Sequence, residues 1–212
     1  MKTFFPKDLS DSDLYAFFTS AVVPRPIALV STIDDEGIKN LAPYSYCNMV
    51  STHPPVIFFA PVRISPPGQP QKDTYENLKN QQECVIHFCD VDMAEVVNHC
   101  AIDFPHHISE FEECNLTPLP SDMVKPYRVK EAPIAFECKL IKIVELGIEP
   151  RAGSMMLCEI IKIHIQKDIL DDRGRVSPLK HRILARLGGN TYAAIQEEDI
   201  FSLERERYIN KE

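Results

Sequence analysis

No stretch of this 212-residue chain approaches the ~20 consecutive apolar residues of a membrane-spanning helix. The opening residues MKTFFPKDLSDSD also lack the long apolar core of a secretory signal, so the expected location is the cytosol. Basic charge is in short supply: 23 Lys and Arg stand against 31 Asp and Glu, for a net charge of −8. A chain of that sign repels polyanions as a whole, which argues against nucleic acid or an anionic membrane as its partner. A phosphate group can still bind where local cations outweigh the background. No GxGxxG follows a strand-like run and no βαβ alternation is present, so a Rossmann dinucleotide site is not expected.

Neither CxxC nor HxxxH spacing occurs. The seven cysteines (47, 84, 89, 100, 114, 138 and 158) are odd in number, and several sit in apolar runs such as ECVIHF and AFECKL. They read as buried thiols rather than a disulfide framework. Zinc has one argument in its favour, the closeness in sequence of Cys84, Cys89, His99, Cys100, His106 and His107. Without ligand spacing that argument is weak, and no metal site is expected.

With 44% hydrophobic and 25% charged residues, the composition is that of an ordinary folded domain. DLSDSDLYAFFTSAV has helical spacing after polar cap candidates, and IALVSTI is a β-branched strand. IKNLAPYSYCNMVS and PPVIFFAPV continue in strand-like fashion, so an antiparallel meander is expected, followed by the loop RISPPGQPQ. KDTYENLKN reads as a helix with Asp73 as N-cap and Glu76 completing a capping box. A strand at ECVIHFCD and a short helix at DMAEVVNHC lead into a Pro-, His- and acid-rich excursion from 101 to 133, with one helical turn at SEFEE. Two long strands, IAFECKLIKIVELG and SMMLCEIIKIHIQKDIL, come next, and RILARLGGNTYAAIQ is expected to turn at Gly-Gly into a terminal helical segment. About seven strands with few helices indicate a mainly β barrel or sandwich, read as one domain over 1–212.

Three polar units stand out. Lys72-Asp73-Thr74 opens a helix, where free N–H groups and the helix dipole attract an anion. Arg25 precedes a strand ending in Ser31-Thr32. Asn40 to Asn48 packs amide, hydroxyl and aromatic groups into nine residues. Among the histidines, His106 and His107 in the excursion are candidates for acid-base work, whereas His53 and His87 read as structural. His164 and His181 belong to no recognisable constellation.

In order along the chain, RPIALVST, NLAPYSYCN, KDT, PIAFEC and LARLGG resemble the flavin reductase-like FMN-binding proteins, over about residues 21–194. The excursion pattern DFP…EFE…LTP is similar to that family as well. The resemblance implies a Greek-key split β-barrel with a few short peripheral helices, a homodimer, and non-covalent FMN near the dimer interface. Carried over by motif, Ser31 and Thr32 lie beside the flavin, and Pro43, Tyr44, Ser45 and Asn48 shape its ring and ribityl region. Lys72 with Thr74 holds the phosphate, Asp73 between them belongs to the same cofactor site, and Arg186 approaches the same pocket. The family pattern often has serine and a basic residue before KDT. This chain has Gln71 there, which points to Arg25 or Arg63 as the compensating cation. The implied activity is an oxidoreductase fed by NADH or NADPH that reduces flavin, oxygen, a ferric chelate or a partner oxygenase. The alternative is an FMN carrier or sensor with little turnover. No catalytic residue is assigned, because the flavin supplies the chemistry.

Overall fold

Ile27–Ile33 opens with four apolar residues and is buried at every position but the last, as suits a strand covered on both faces. It lies at the centre of the fold in the computed structural model, which describes residues 1–66 and 68–205. Helix α1 (Asp11–Ala21) starts at Ser10, whose hydroxyl accepts the Asp13 N–H at 3.2 Å. A short strand β1 (Arg25–Pro26) leads into β2 (Ala28–Ile33), which turns into β3 (Lys39–Tyr44). The Asp34 carboxylate closes that turn by accepting the N–H groups of Glu36 at 2.9 Å and Ile38 at 2.7 Å, while Gly37 takes φ +89°.

Strands β4 (Cys47–Thr52) and β5 (Pro55–Phe59) form a second hairpin, and helix α2 (Asp73–Gln81) precedes β6 (Glu83–Phe88). The excursion carries helices α3 (Ala94–His99) and α4 (Glu110–Glu113) and two-residue strands β7 (Pro118–Leu119) and β8 (Arg128–Val129). The long strands β9 (Ile134–Glu145) and β10 (Ser154–Ile165) follow, then β11 (Leu184–Arg186) and β12 (Tyr192–Ala194). No helix among the described residues is long and apolar enough to cross a membrane.

The main sheet is antiparallel with strand order β3-β2-β6-β9-β10-β5-β4. Its two edge strands, β3 and β4, are consecutive in the chain and separated only by Ser45 and Tyr46. Such a short link requires the sheet to curl until its edges meet at one end, which makes a barrel left open between β3 and β4. The expected meander is therefore corrected: β3 pairs with β2, and β4 pairs with β5 instead of β3.

Strand alternation divides the core in two. Ala28 and Val30 point into the barrel with Phe59, Leu78, Ile86 and Met156, while Ile27 and Leu29 point outward to Leu41, Val97, Phe111 and Leu184 beneath the excursion. Cys84 lies inside the barrel and Cys89 and Cys100 in the outer core, so the sequence cluster considered for zinc is split between two cores. The expected terminal helix is also corrected. Residues 184–194 form the β11–β12 hairpin, with β11 paired to β1, because Gly188 and Gly189 reverse the chain and Leu184 anchors its return in the outer core. Gly188 allows close contact with the end of α1, since a Cβ there would stand 3.1 Å from the Ser20 Cβ and 3.2 Å from its Cα.

Candidate functional site

β3 is an edge strand, so its outward N–H groups need partners from elsewhere. One comes from α4: the buried Glu110 carboxylate accepts the Leu41 N–H at 2.8 Å. On the neighbouring residue, the Asn40 amide donates to Thr32 Oγ1 at 3.0 Å and to Thr74 Oγ1 at 2.8 Å, and Asn77 also donates to Thr32 Oγ1 at 3.2 Å. This buried network fixes the first turn of α2 against β2 and β3. Its members were drawn from three segments of the chain, and only the fold brings them together.

The start of α2 differs from the expected capping box. Lys72, extended at φ −61° and ψ 144°, is the N-cap residue, and no side chain caps the helix. Asp73 is instead the first helical residue, and its carboxylate meets His106 Nδ1 at 2.8 Å. Glu76 turns back to accept the Gln71 N–H at 3.1 Å. The first N–H groups of α2 thus remain free of side-chain caps and face a cavity of about 390 Å³ lined by Asn40, Pro43, Tyr44, Lys72, Thr74 and Glu110, among others. Burial pushes the Glu110 carboxyl up despite its bond from Leu41.

A second cavity of about 220 Å³ shares Pro43, Tyr44 and Lys72 with the first and continues to Ser45, Tyr46, Tyr15, Arg25 and Arg186. Together they form one groove along β3. Tyr44 is buried at its centre, and among the described residues its hydroxyl has no partner with hydrogen-bond geometry; burial pushes that phenol well above its ordinary range, with nearby Thr74 offsetting only part of the effect. A buried hydroxyl left unpaired is costly unless a ligand completes it. Among the described residues no carboxylate lines the second cavity, in contrast with the acidic protein around it.

The two arginines expected to compensate for Gln71 are committed elsewhere. Arg25 is buried and donates to the carbonyls of Thr19 at 2.5 Å, Val22 at 2.8 Å and Leu187 at 2.8 Å, which joins the end of α1 to the turn after β11. Arg63 pairs with Glu145 at 3.4 Å and does not line the groove. Lys72 therefore supplies the cation at the helix start; its partner, Asp103 at 3.3 Å, is 91% exposed and holds it loosely. Arg186 stacks over Tyr192 with its guanidinium carbon 4.3 Å from the ring centroid and donates to the Gly189 carbonyl at 2.6 Å.

Of the expected site residues, the fold gathers Arg25, Pro43, Tyr44, Ser45, Lys72, Asp73, Thr74 and Arg186 along the groove. Thr32 lies behind it in the polar network. Ser31 is fully buried, by strand alternation on the face opposite Thr32, and lines neither cavity. Asn48 is exposed on β4 and bonds the next backbone N–H at 2.8 Å, outside the groove, because the chain crosses to the other edge of the sheet before reaching it. Tyr15 and Glu110 were given no role by the sequence reading, since nothing local marks a residue that reaches the groove from a distant segment, and Tyr46 lay within the Asn40–Asn48 unit without being singled out.

The remaining histidines have structural partners or none near the groove. His87 is buried, spans the Leu29 carbonyl and the Val129 N–H at 2.9 Å each, and is pushed down to about 4 by burial. His53 is exposed after β4 and His107 is exposed in the excursion. His164 does have a constellation: its Nε2 lies 2.7 Å from the buried Glu137, and Arg128 donates to its Nδ1 at 3.1 Å. That donation makes Nδ1 the acceptor, so Nε2 carries the proton toward Glu137. Glu137 also accepts the N–H groups of Asp122 and Met123, fastening the excursion to β9.

The model of the flavin reductase like domain family matches residues 20–180. Nitrilotriacetate monooxygenase component B from Bacillus cereus is 32% identical and superimposes with a TM-score of 0.88, covering 96% of this chain and 98% of that one. The 2-nitrobenzoate 2-nitroreductase NbaA of Pseudomonas fluorescens is 30% identical, with a TM-score of 0.85 and 99% of each chain covered. At 21% identity, a Shewanella frigidimarina protein with a split barrel domain superimposes with a TM-score of 0.78 over 98% of this chain and 100% of its own, which shows the shared fold.

Proposed function

This chain belongs to the flavin reductase-like family, and on that premise we propose that it binds FMN non-covalently in the groove along β3 and uses it as an NAD(P)H-dependent oxidoreductase. The observation that carries the proposal is the unpaired, buried Tyr44 hydroxyl between an uncapped helix start and a cavity free of carboxylates. The residues fit the cofactor. Lys72 and the first N–H groups of α2 suit its phosphate, Tyr44 offers a hydroxyl to the ribityl chain, and Pro43, Ser45 and Tyr46 border the space for a planar ring.

Bound FMN supplies the hydride chemistry. The chain's own part is to position and tune. Arg25 braces the groove wall by tying α1 to Leu187, Glu110 holds β3 in place, and Arg186 brings a second cation to the open end. The cavity bordered by Tyr15, Tyr46 and Arg186 would be the approach for NADH or NADPH, since the chain carries no GxGxxG fingerprint for a dinucleotide. The same opening admits the electron acceptor, a free flavin or a small anion, or the partner oxygenase, in a cytosolic setting. The relation to an oxygenase component B and to a nitroreductase supports both kinds of acceptor.

A homodimer fits the surface. Helix α1 buries only Thr19, leaving Tyr15, Phe17 and Phe18 at 59%, 42% and 58% exposure, and β4 presents Met49 and Val50 at 63% and 55%. Such apolar faces call for cover, and a second copy would enclose the groove at Tyr15. Light scattering of the purified protein checks this, and a monomer would refute it.

The deciding experiment is anaerobic addition of NADH or NADPH to the purified protein. A yellow protein that bleaches supports the reductase. One that stays oxidised supports a carrier, and a colourless protein that takes up no added FMN overturns the proposal.

A further inference from the structure

Asp73 places a carboxylate at the point where the groove needs positive charge, and its surroundings are acidic. Asp34, Asp35 and Glu36 from the β2–β3 turn and Glu76 from α2 line the adjoining hollow, with His106 the one basic residue among the residues lining it. Asp103 and the exposed His107 flank His106 on its own segment, and Lys72 faces Asp103. Within this setting His106 meets two carboxylates at once: Nδ1 lies 2.8 Å from Asp73 Oδ1 and Nε2 lies 3.1 Å from Asp34 Oδ2. Nδ1 is hydrogen-bonded to Asp73 while Nε2 stands at ion-pair distance from Asp34, and a ring that faces a carboxylate from each nitrogen is stabilised as the imidazolium, the form with an N–H on both.

Three segments meet at that ring. Asp34 belongs to the β2–β3 turn, Asp73 begins α2, and His106 follows Ala101 to Phe104, which line the phosphate end of the groove. We propose that His106 is a positioning residue for that end: as a cation it cancels the Asp73 charge and holds residues 101–106 across the groove, so affinity for a phosphate-terminated ligand falls as pH rises. The proposal rests on the FMN reading. The hydrogen bond that His106 Nδ1 donates to Asp73 holds the imidazole above its ordinary range, against the pull of burial, with Asp34 adding to the effect. The cation therefore persists to higher pH than in a free imidazole and is lost as pH climbs through the raised value.

The test is FMN affinity, read by flavin fluorescence with the full-length protein, from about pH 7 to 9.5, where the phosphate is a dianion throughout because its second pKa is ~6. Wild-type dissociation constants should rise about tenfold across that range, the size of an ordinary coupling between sites. His106→Gln should bind weakly at all pH values with a flat profile. Adding Asp73→Asn to it should restore the affinity of wild type at low pH, which a merely structural histidine would not do. Asp34→Asn keeps the oxygen that closes the β2–β3 turn but removes its charge, and should move the wild-type midpoint to lower pH. A flat wild-type profile, a His106→Gln variant that keeps the wild-type slope, a double variant without recovery, or an unmoved midpoint in Asp34→Asn would each overturn the proposal. Failure of the wild type to take up FMN at any pH would overturn the FMN reading along with it.

Discussion

Arg25 and Lys72 line the same cavity, yet their replacement by methionine should have opposite consequences. Arg25 is 7% exposed and makes three charge-assisted bonds to carbonyls, with Ser45 Oγ a further, longer contact at 3.4 Å. At roughly 1.5 kcal/mol for each bond to a charged group, the three carbonyl bonds sum to about 4.5 kcal/mol. The bonds to the Val22 and Leu187 carbonyls are only part-buried, so both carbonyls regain water in the variant, which reduces the expected loss to about 3 kcal/mol. For a domain of this length that is a fall in Tm of roughly 6–12 °C. Lys72 has one solvent-exposed partner, so Lys72→Met should change the stability of the cofactor-free protein by less than about 0.5 kcal/mol. Its FMN dissociation constant should nevertheless rise about 10- to 100-fold, as for loss of a charge-assisted bond to phosphate. Urea unfolding of the cofactor-free proteins and flavin fluorescence titration separate the two effects. An Arg25→Met protein with unchanged stability and a Lys72-like loss of FMN binding would refute the assignment, because it would mean that the guanidinium serves the ligand.

Three further outcomes follow from the same geometry. Tyr44→Phe should leave the cofactor-free protein as stable or up to ~1 kcal/mol more stable, since it deletes an unpaired hydroxyl, while weakening FMN binding several-fold; a loss of stability in urea would contradict this. Glu137 is held below the usual carboxylate range, because although burial pushes it up, the Asp122 N–H, His164 and the Met123 N–H outweigh that. A depressed folded pKa means stability that is present above the unfolded value of ~4.3 and lost as pH falls through the folded one. The urea midpoint should therefore drop on acidification more steeply in wild type than in Glu137→Gln, and parallel curves would refute the role. Gly188→Ala should cost about 1–3 kcal/mol through the clash with Ser20, measured as a lower Tm, and an unchanged Tm would show that α1 yields at no cost.

The positions of most strands along the chain were legible because both long strands and the β2 core strand carry their pattern locally. The alternation of Ala28 and Val30 against Ile27 and Leu29 encodes two cores in one short run. What misled was chain reversal. RILARLGGNTYAAIQ has residues compatible with a helix, and only Leu184 packing outside the barrel and pairing of β11 with β1 make it a hairpin. Asp73 looked like an N-cap because spacing alone cannot show which residue takes the extended backbone angles. Lys72 took them, which freed Asp73 to reach His106.

By itself the sequence determined a β-rich single chain without a membrane-spanning helix or Rossmann fingerprint, and its ordered motifs pointed to the family. Those properties are short-range: composition, periodicity and contiguous motifs are written within a few residues of one another. Tertiary structure alone decided which cations stay free. Arg25, Arg63 and Lys72 are alike as letters, but Arg25 is locked between the end of α1 and the distant Leu187 carbonyl, Arg63 meets the distant Glu145 carboxylate, and Lys72 is left at the helix start with one exposed partner. The same long-range closure set Asn48 outside the groove, left the Tyr44 hydroxyl unpaired within it, and placed His106 between two aspartates 72 and 33 positions away.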